Sequence, residues 1–401
     1  MTTARKRQVL ISGASVAGPT LAYWLVRHGF GVTIVEKAPA VRSGGYPIDV
    51  RGTALDVIRR MGAYSRVAAA HIDTRRLTFF GGDGRRIGAL RPESLTGGVE
   101  GRDLELPRGA LTAVLYDLVR DDCEFLFNDT ITGLEEHADG VDVQLGGGQR
   151  RRFDLVVGAD GLHSNTRRLA FGPEADYEHY LGFCFAGFTI PNELGLAHEG
   201  ISFNTPGKAA VLFAAGDSDR LHAFLIFASP RPPFAEHPDL AAQRELVARV
   251  FADGRWQVPR MLAGLRAADD VFFDVTSQIH LPRWHSGRVC LVGDAAHAPS
   301  FLSGQGSSLA LVGAYVLAGE LAAHVDHAAA FAAYERVMRP FVTMNQALAS
   351  GGAASLVPRT AVSLWMRNQM IRLAPLLART GLFGRQGRKA NSALALPAYA
   401  G

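Results

Sequence analysis

The sequence predicts an α/β fold in which a parallel sheet with flanking helices is interrupted by an inserted antiparallel sheet and followed by a C-terminal helix. Three parts of the chain predict it. Residues 8–36 have the pattern of strand, glycine turn, helix and strand, residues 175–279 contain broad apolar runs of strand type, and residues 289–321 return to strand, loop and helix. A strand–helix–strand unit favours parallel pairing because the helix carries the chain back across the sheet.

Hydrophobic periodicity defines the N-terminal unit. Gln8–Ser12 is a short apolar run, Pro19–His28 has apolar residues at helical spacing, and Gly31–Glu36 is rich in β-branched residues. Gly13–Gly18, with the sequence GASVAG, forms the turn between the first strand and the helix. Such a turn lets the backbone approach a pyrophosphate closely, and the pyrophosphate then lies at the helix N-terminus.

An acidic residue completes this unit. Glu36 ends the second strand, 18 residues after Gly18, where a carboxylate binds a ribose 2′-hydroxyl in dinucleotide folds and would repel a 2′-phosphate. The unit therefore favours the adenosine of FAD or NAD over that of NADP, and an ordinary strand–helix turn is the alternative. The candidate nucleotide-binding residues here are Gly13, Ser15, Val16, Ala17, Gly18, Glu36 and Lys37.

The remaining elements can be predicted in chain order. Residues 53–61 form a short amphipathic helix, residues 75–90 a hairpin, residues 108–120 a helix, residues 124–157 a small antiparallel unit that ends in a strand, residues 239–252 and 260–267 two helices, and residues 271–279 a strand. The predicted domains are a nucleotide-binding domain over 1–72, 102–174 and 280–350, a substrate-binding domain over 73–101 and 175–279, and a C-terminal helical segment over 351–401.

Charge and composition exclude several classes of protein. The 401 residues include 42 basic and 38 acidic ones, which is too balanced for a nucleic-acid-binding face. The longest apolar runs are shorter than 18 residues, so no spanning helix is expected, and the basic N-terminal stretch carries too short an apolar run for a secretory signal. Three scattered cysteines predict neither a disulfide framework nor a metal site. We expect a cytoplasmic protein.

The C-terminal segment has an uneven charge. Residues 341–401 contain seven basic residues and no acidic residue. Such a segment is either a helix that binds a membrane surface or a partner, or a terminal helix that lies on a slightly acidic body.

Two further motifs carry candidate chemistry. Val156–Arg167 (VVGADGLHSNTR) ends a strand and enters a helix, and Asp160 either binds a cofactor or caps that helix. Cys290–Ser308 (CLVGDAAHAPSFLSGQGSS) places Asp294 at a strand end, where its carboxylate can accept a hydrogen bond from a ribose or ribityl hydroxyl. The GQGSS segment opens a long apolar helix whose amides can stabilise an anionic ring edge. Each motif taken alone could be a helix-capping loop.

Together the three motifs, in this order and spacing, resemble those of the FAD-dependent aromatic hydroxylases, the single-component flavoprotein monooxygenases similar to p-hydroxybenzoate hydroxylase. The resemblance spans about residues 8–350, and Arg42–Asp49 (RSGGYPID) looks most like the tetracycline-inactivating members. It implies an FAD-binding Rossmann-like domain of the glutathione-reductase type, with the antiparallel sheet as substrate domain. It also implies catalytic positions for Arg42 and Asp49 beside the flavin.

The resemblance extends to other positions. It implies that Arg108 contacts FAD and that Asp294 binds its ribityl or phosphate region, and it places His222 at the position of a substrate-contacting histidine. A satisfied core histidine is the alternative for His222, and His297 in GDAAH is expected to be structural. With the motif residues, the cofactor set also includes Arg42, Asp49, Arg108, Asp160, Asp294, Gly304, Gly306 and Ser307.

The sequence departs from the family pattern at three places. Ser15 replaces the middle glycine of the first turn, Ser300 and Phe301 stand where many relatives have two prolines, and Ser308 replaces a frequent asparagine. The last two departures concern the geometry at the pyrimidine side of the flavin.

The resemblance implies a reaction as well. Bound FAD is reduced transiently by NADPH or NADH, since no second glycine fingerprint is visible, and O2 then gives a flavin C4a-hydroperoxide that hydroxylates a bulky aromatic or polycyclic substrate. Secondary metabolism or antibiotic modification is the expected context, and the protein is expected to be a monomer or homodimer. The alternatives are a related flavoenzyme of the reductase or halogenase type and a flavin-poor accessory protein that binds a ligand.

Overall fold

Two large sheets organise the chain in the computed structural model, which describes residues 6–41, 44–93, 102–377 and 385–399. The strands are β1 Gln8–Ser12, β2 Gly31–Glu36, β3 Pro47–Val50, β4 Arg76–Phe80, β5 Arg86–Leu90, β6 Leu104–Pro107, β7 Glu124–Phe127, β8 Ile131–His137, β9 Gly140–Leu145, β10 Arg150–Phe153, β11 Leu155–Gly158, β12 Glu178–Pro191, β13 Glu199–Thr205, β14 Lys208–Ala214, β15 Arg220–Ala228, β16 Phe272–Ile279, β17 His285–Ser286 and β18 Val289–Leu291. The helices are α1 Ala17–Arg27, α2 Thr53–Arg60, α3 Tyr64–Ala68, α4 Arg108–Asp117, α5 Asn165–Phe171, α6 Leu240–Val250, α7 Val258–Ala267, α8 Asp294–His297, α9 Gly306–Ala323, α10 His327–Gln346, α11 Leu348–Leu356, α12 Ala361–Leu377 and α13 Arg385–Asn391.

The first sheet has six strands in the order β17-β18-β11-β1-β2-β7, and only β17 runs antiparallel to its neighbour. Its central strand β1 is buried on both faces, with Leu10 and Ile11 fully enclosed, which explains the unbroken apolar run in the sequence. The predicted parallel unit is therefore confirmed. One detail of the prediction is wrong: β7 pairs in parallel with β2 and only β8, β9 and β10 form the small antiparallel unit.

The second sheet has seven strands in the order β16-β12-β15-β14-β13-β4-β5 and is antiparallel except where β4 pairs with β13. Its two faces alternate along each strand. In β15, Leu225 and Phe227 face the core beneath α6 and α7, whereas Phe224 and Ile226 face the opposite way, toward the loop after β18. Strand β13 of this sheet was not predicted from the sequence.

Helix α9 crosses the centre of the fold. It is long and apolar enough to span a membrane by length and composition, but 72% of it is buried inside the protein. It packs between α1 and α10, with Leu311, Val316 and Leu317 fully enclosed. A helix that is apolar on all sides is buried in this way in the core of a large domain.

Candidate flavin site and substrate face

The turn between β1 and α1 requires glycine at two positions. Gly13 has a φ of +107°, and a Cβ atom there would lie 2.5 Å from the carbonyl oxygen of Ala159. A Cβ atom on Gly18 would lie 1.9 Å from the carbonyl oxygen of Gly13, so the helix can approach the strand this closely only with glycine. The turn brings the N-terminus of α1 to the carboxyl end of the parallel sheet, which is where such folds bind a pyrophosphate.

The serine in place of the middle glycine has a partner. Ser15 Oγ accepts a hydrogen bond of 3.0 Å from Arg108 Nη2. Arg108 is the first residue of α4, so its side chain reaches from that helix to the predicted phosphate turn. Val16 and Ala17 are buried at the start of α1, and Lys37 is exposed. Serine in place of glycine at position 15 therefore holds the Arg108 guanidinium at the turn and does not remove the anion site.

Glu36 lies at the carboxyl end of β2 and faces the same turn. Its Oε2 accepts a hydrogen bond of 2.8 Å from the Ala14 amide, and its Oε1 accepts one of 3.0 Å from the Ala38 amide. Two backbone donors therefore hold the carboxylate beside the first turn. This is the place that the sequence predicted for a ribose-binding acid.

Asp160 has protein partners for both of its oxygens. Oδ2 accepts from the Thr166 amide at 2.8 Å and from its hydroxyl at 2.9 Å, and Oδ1 accepts from Ser164 Oγ at 2.5 Å. The N-cap of α5 is Ser164, whose hydroxyl accepts from the Arg167 amide. The carboxylate of Asp160 therefore organises the helix-capping loop next to Gly13, which favours the structural alternative over direct cofactor contact.

Asp294, by contrast, presents an unused carboxylate. It is the first residue of α8, and its Oδ1 would lie 3.5 Å from a Cβ atom on Gly306. Burial raises the pKa of Asp294, and the nearby Arg108 opposes that shift. Within the described part of the chain, no group donates a hydrogen bond to this carboxylate. An acceptor in this position fits a hydroxyl of a bound cofactor.

The loop from Ser300 to Ser307 leads into α9. Gly304 adopts a left-handed conformation, and Gly306 and Ser307 form the first turn of α9, with Gly306 close to Asp294. Gln305 is 1% exposed, and its Nε2 has no hydrogen-bond partner among the described residues. A buried donor without a partner is costly in a folded protein. A polar ligand at this loop, such as a flavin ring edge, would satisfy it.

A pair of acidic residues lies behind the same loop. Asp49 forms a 2.5 Å ion pair with Arg51, and a Cβ atom on Gly304 would lie 3.7 Å from Asp49 Oδ2. The register of β3 and β6 places Asp49 opposite Glu105. Burial, reinforced by Asp49, raises the pKa of Glu105 to about 7, and burial also raises the pKa of Asp49. Arg42 lies outside the described residues, so its predicted role stays a prediction.

An aromatic cluster separates the seven-stranded sheet from the loop. Phe301 stacks on Phe185 with a centroid distance of 4.6 Å, and Tyr46 contacts Phe301, Phe272 and Phe224 at 5.4 to 5.9 Å. The site residues that could not be predicted from the sequence are Tyr46, Phe185, Phe224 and Phe272. They come from four separate segments, and only the apolar character of the strands hinted at them.

His222 lies on the same face of the sheet as this cluster. It is two residues from Phe224 along β15, so both side chains project from one face. Its imidazole is partly buried and has no hydrogen-bond partner among the described residues. Burial lowers the pKa of His222, so the ring is neutral at neutral pH and offers one donor and one acceptor. A satisfied core histidine would have partners, so the placement favours the substrate-facing alternative.

His297 has the structural surroundings that the sequence predicted. It is 1% exposed, its Nε2 lies 3.3 Å from the Tyr334 hydroxyl, and its ring packs against Trp284 at 4.6 Å. Burial lowers the pKa of His297 to about 3. The ring therefore stays neutral and holds the α8 loop against α10.

One group of possible metal ligands was not foreseen. The β8–β9 hairpin brings Glu135, His137 and Asp142 within 4.8 Å of one another. Arg150 pairs with both carboxylates, at 2.5 Å from Glu135 and 3.1 Å from Asp142. We interpret the group as a surface ion-pair cluster.

Comparison with known proteins agrees with this geometry. The family described as "FAD binding domain" matches residues 6–347. The chain belongs to this family. A flavin-dependent monooxygenase from an unknown prokaryotic organism is 36% identical over 399 residues, which cover 98% of this chain and 99% of that protein. An uncharacterized protein of Mycobacterium tuberculosis is 42% identical over 353 residues, or 86% of this chain and 95% of its own length.

A solved structure extends the match to the whole fold. The crystal structure of the tetracycline destructase Tet(55) superposes with a TM-score of 0.84 at 35% identity, covering 99% of this chain and 100% of that one. The protein is thus an FAD-dependent monooxygenase with the fold of the aromatic hydroxylases. The first turn fits the FAD that the family binds, and so do the Asp294 carboxylate and Gln305 Nε2, which have no hydrogen-bond partner among the described residues.

Proposed function

We propose that this flavoprotein uses NADPH or NADH and O2 to hydroxylate a bulky aromatic or polycyclic small molecule. The observation that carries the proposal is the aromatic cluster, which lies between the flavin loop and the sheet face that holds His222. Stacked and edge-on rings form a surface on which a planar ring system packs favourably. A tetracycline-like scaffold or a related antibiotic or secondary metabolite has this character.

The proposed roles of the chain's own residues follow from their positions. The α1 turn, Arg108 and Glu36 bind the adenosine and phosphate part of FAD, and Asp294 accepts from its ribityl or ribose hydroxyls. When bound, FAD would supply the redox chemistry, because it carries electrons from NADPH or NADH to O2. The amides at the start of α9 stabilise negative charge at the ring edge, because a helix N-terminus carries a partial positive charge.

The seven-stranded sheet and the aromatic cluster orient the substrate. We assign the seven-stranded sheet to the proposed substrate-binding domain over 73–101 and 175–279, and the first sheet to the proposed FAD domain over 1–72, 102–174 and 280–350. The cluster and the covering sheet exclude water from the reacting centre, which limits unproductive loss of the oxidant. Neutral His222 can donate to or accept from a polar group on the substrate.

The test is oxygen insertion across a panel of compounds. The FAD-loaded protein is mixed with NADH or NADPH, air and one compound at a time, with tetracyclines, other polycyclic phenols and simple phenols as the arms. We expect one polycyclic class to accelerate the oxidation of NADH or NADPH. Compounds of that class should also gain one oxygen atom, which mass spectrometry detects when the reaction uses isotopically labelled O2. Cofactor oxidation that yields only hydrogen peroxide with every arm would contradict the proposal.

A further inference from the structure

The outer side of α12 exposes a row of apolar side chains. Seven large apolar residues of the described chain are strongly exposed, and five of them lie on this one helix. They are Val362 at 67% exposure, Trp365 at 62%, Met366 at 51%, Met370 at 55% and Leu373 at 50%. Their spacing of three and four residues puts them on one face, so they form a continuous row along a helix about 25 Å long.

The inner side of α12 explains why the row points outward. Ile371 and Ala374 are buried at 4% and 5% exposure, and Ile371 packs on Gly88 of β5. Arg367 is buried as well, donates to Asn204 Oδ1 at 3.1 Å and lies over the ring of Phe79. The helix is therefore fixed to the sheet on one side. The apolar row on its other side is a property of the folded protein and does not reflect a detached segment.

The charged side chains of α12 are all basic. Arg372 is exposed at the edge of the row, and the helix Ala361–Leu377 contains no acidic residue. Residues 341–401 contain seven basic residues and no acidic residue. A second copy of the chain docked face to face would bring these like charges together, which opposes such pairing.

We propose that the outer face of α12 binds an anionic lipid surface, with the helix lying in the plane of the interface. An apolar row that includes tryptophan, with an arginine at its edge, is the pattern of interfacial helices that insert into the headgroup region. The exposed Arg372 adds attraction to anionic headgroups. The proposal concerns a surface outside the flavin site and does not depend on the proposed substrate. If both hold, the substrate sheet lies beside the bilayer, where apolar substrates accumulate.

The test is co-sedimentation of the FAD-loaded protein with vesicles. One set contains phosphatidylcholine alone, and the other contains phosphatidylcholine mixed with phosphatidylglycerol. We expect binding to the anionic set, weaker binding as salt is raised, and a blue shift of tryptophan fluorescence that Trp365→Phe removes while binding persists. The measurement needs no substrate, so its result is independent of the hydroxylation assay.

Variants on the surface separate the contributions. Met366→Gln with Met370→Gln should weaken binding at least about tenfold, because both side chains lose apolar contact with lipid. Arg372→Gln should weaken binding to the anionic set by about fivefold. Val325→Gln, at a residue 99% exposed before α10, is the matched control and should change nothing. Flavin content and thermal unfolding show that each variant is folded.

Several results would overturn the proposal. The wild-type protein could stay in solution with both vesicle sets, or the double methionine variant could bind as well as the wild type. Light scattering could also show a dimer that the methionine variant converts to a monomer, which would assign the face to a second copy.

Discussion

Asp294 is the residue whose environment is most directly tied to cofactor binding. Its carboxylate is partly buried but lacks a hydrogen-bond donor among the described residues, and it lies close to the start of α9. A charge-assisted hydrogen bond to a cofactor hydroxyl contributes about 1.5–3 kcal/mol. Asp294→Ala should therefore weaken FAD binding by about tenfold to a hundredfold. Flavin fluorescence titration measures the dissociation constant, with the exposed Asp121→Ala as control. An unchanged constant in Asp294→Ala would remove the residue from the cofactor site.

His222 decides between a substrate wall and a core position. Its neutral ring lies beside Phe224 on the flavin-loop side of the sheet. His222→Ala should raise the substrate constant or increase hydrogen peroxide release per NAD(P)H, with little change in melting temperature, since no hydrogen bond within the described residues is lost. The control is His179→Ala at an exposed position on neighbouring β12, which should leave the substrate constant and the hydrogen peroxide release unchanged. A destabilised variant with normal coupling would show that His222 is a core residue.

Some of these residues could be predicted from the sequence and others could not. Glu36 and Asp294 follow strands at fixed distances from glycine motifs, so local pattern was enough to place them. Asp160 was ambiguous because the same motif serves capping and binding, and the structure shows its oxygens used in the capping loop. Tyr46 and Gln305 lie inside motifs that the sequence singled out, but the roles of their own side chains could not be predicted, since those roles depend on contacts between segments far apart in the chain.

At the scale of elements, the loop between α8 and α9 carries the clearest backbone strain. Ser300 has a φ of +77°, a conformation that costs about 1–3 kcal/mol for a residue with a side chain and that clusters at functional sites. The conformation places Phe301 against Phe185 and Tyr46. The two prolines of many relatives therefore cannot be accommodated here without a different loop path, since proline requires a φ near −65°.

A pair of substitutions at this position tests the loop. Ser300→Pro should lower the free energy of unfolding by more than about 1 kcal/mol and weaken FAD binding, because the backbone must leave its present path. Ser300→Gly keeps the path available and should change both by less than Ser300→Pro does. Thermal unfolding and flavin titration of the two variants make the comparison. Equal behaviour of the proline and glycine variants would show that the loop path does not matter for the site.

The elements themselves were largely readable from the sequence. The β1–α1–β2 unit and the hairpin over residues 76–90 appear where the periodicity indicated. What local pattern could not show is the partner of each strand. The parallel pairing of β4 with β13, more than a hundred residues away, joins the hairpin to the second sheet, and β7 joins the first sheet for the same kind of non-local reason.

At the scale of the whole molecule, a histidine connects the two sheets. His163 follows β11 of the first sheet, and its Nε2 lies 3.1 Å from Asp274 on β16 of the second. Its Nδ1 lies 2.7 Å from Glu174, which also accepts a 2.5 Å hydrogen bond from the fully buried Arg167. Asp274 is two residues from Phe272 of the aromatic cluster. This network therefore links the helix-capping loop of one sheet to the substrate face of the other.

The network has a defined dependence on pH. Hydrogen bonds to Asp274 and Glu174 raise the pKa of His163 from 6.5 to about 10. A folded-state pKa above the unfolded one means that the native protein binds the proton more tightly, so this contribution to stability is complete below pH 6.5 and is lost as pH rises toward 10. Glu105 acts in the same direction over a lower range, since its folded-state pKa of about 7 also exceeds 4.5 and its effect lowers stability as pH rises from 4.5 to 7.

Comparing wild type with His163→Gln isolates the histidine, because the effect of Glu105 is present in both proteins and cancels in the difference. The melting temperature of the wild type should exceed that of the variant at pH 6, and the gap should narrow steadily as pH is raised to 10. Glutamine keeps one donor and one acceptor but cannot carry the charge that both carboxylates attract. The exposed His179→Gln is the control and should follow the wild-type curve. A gap that stays constant from pH 6 to 10 would mean that His163 contributes through packing alone, and that the charge does not hold the two sheets together.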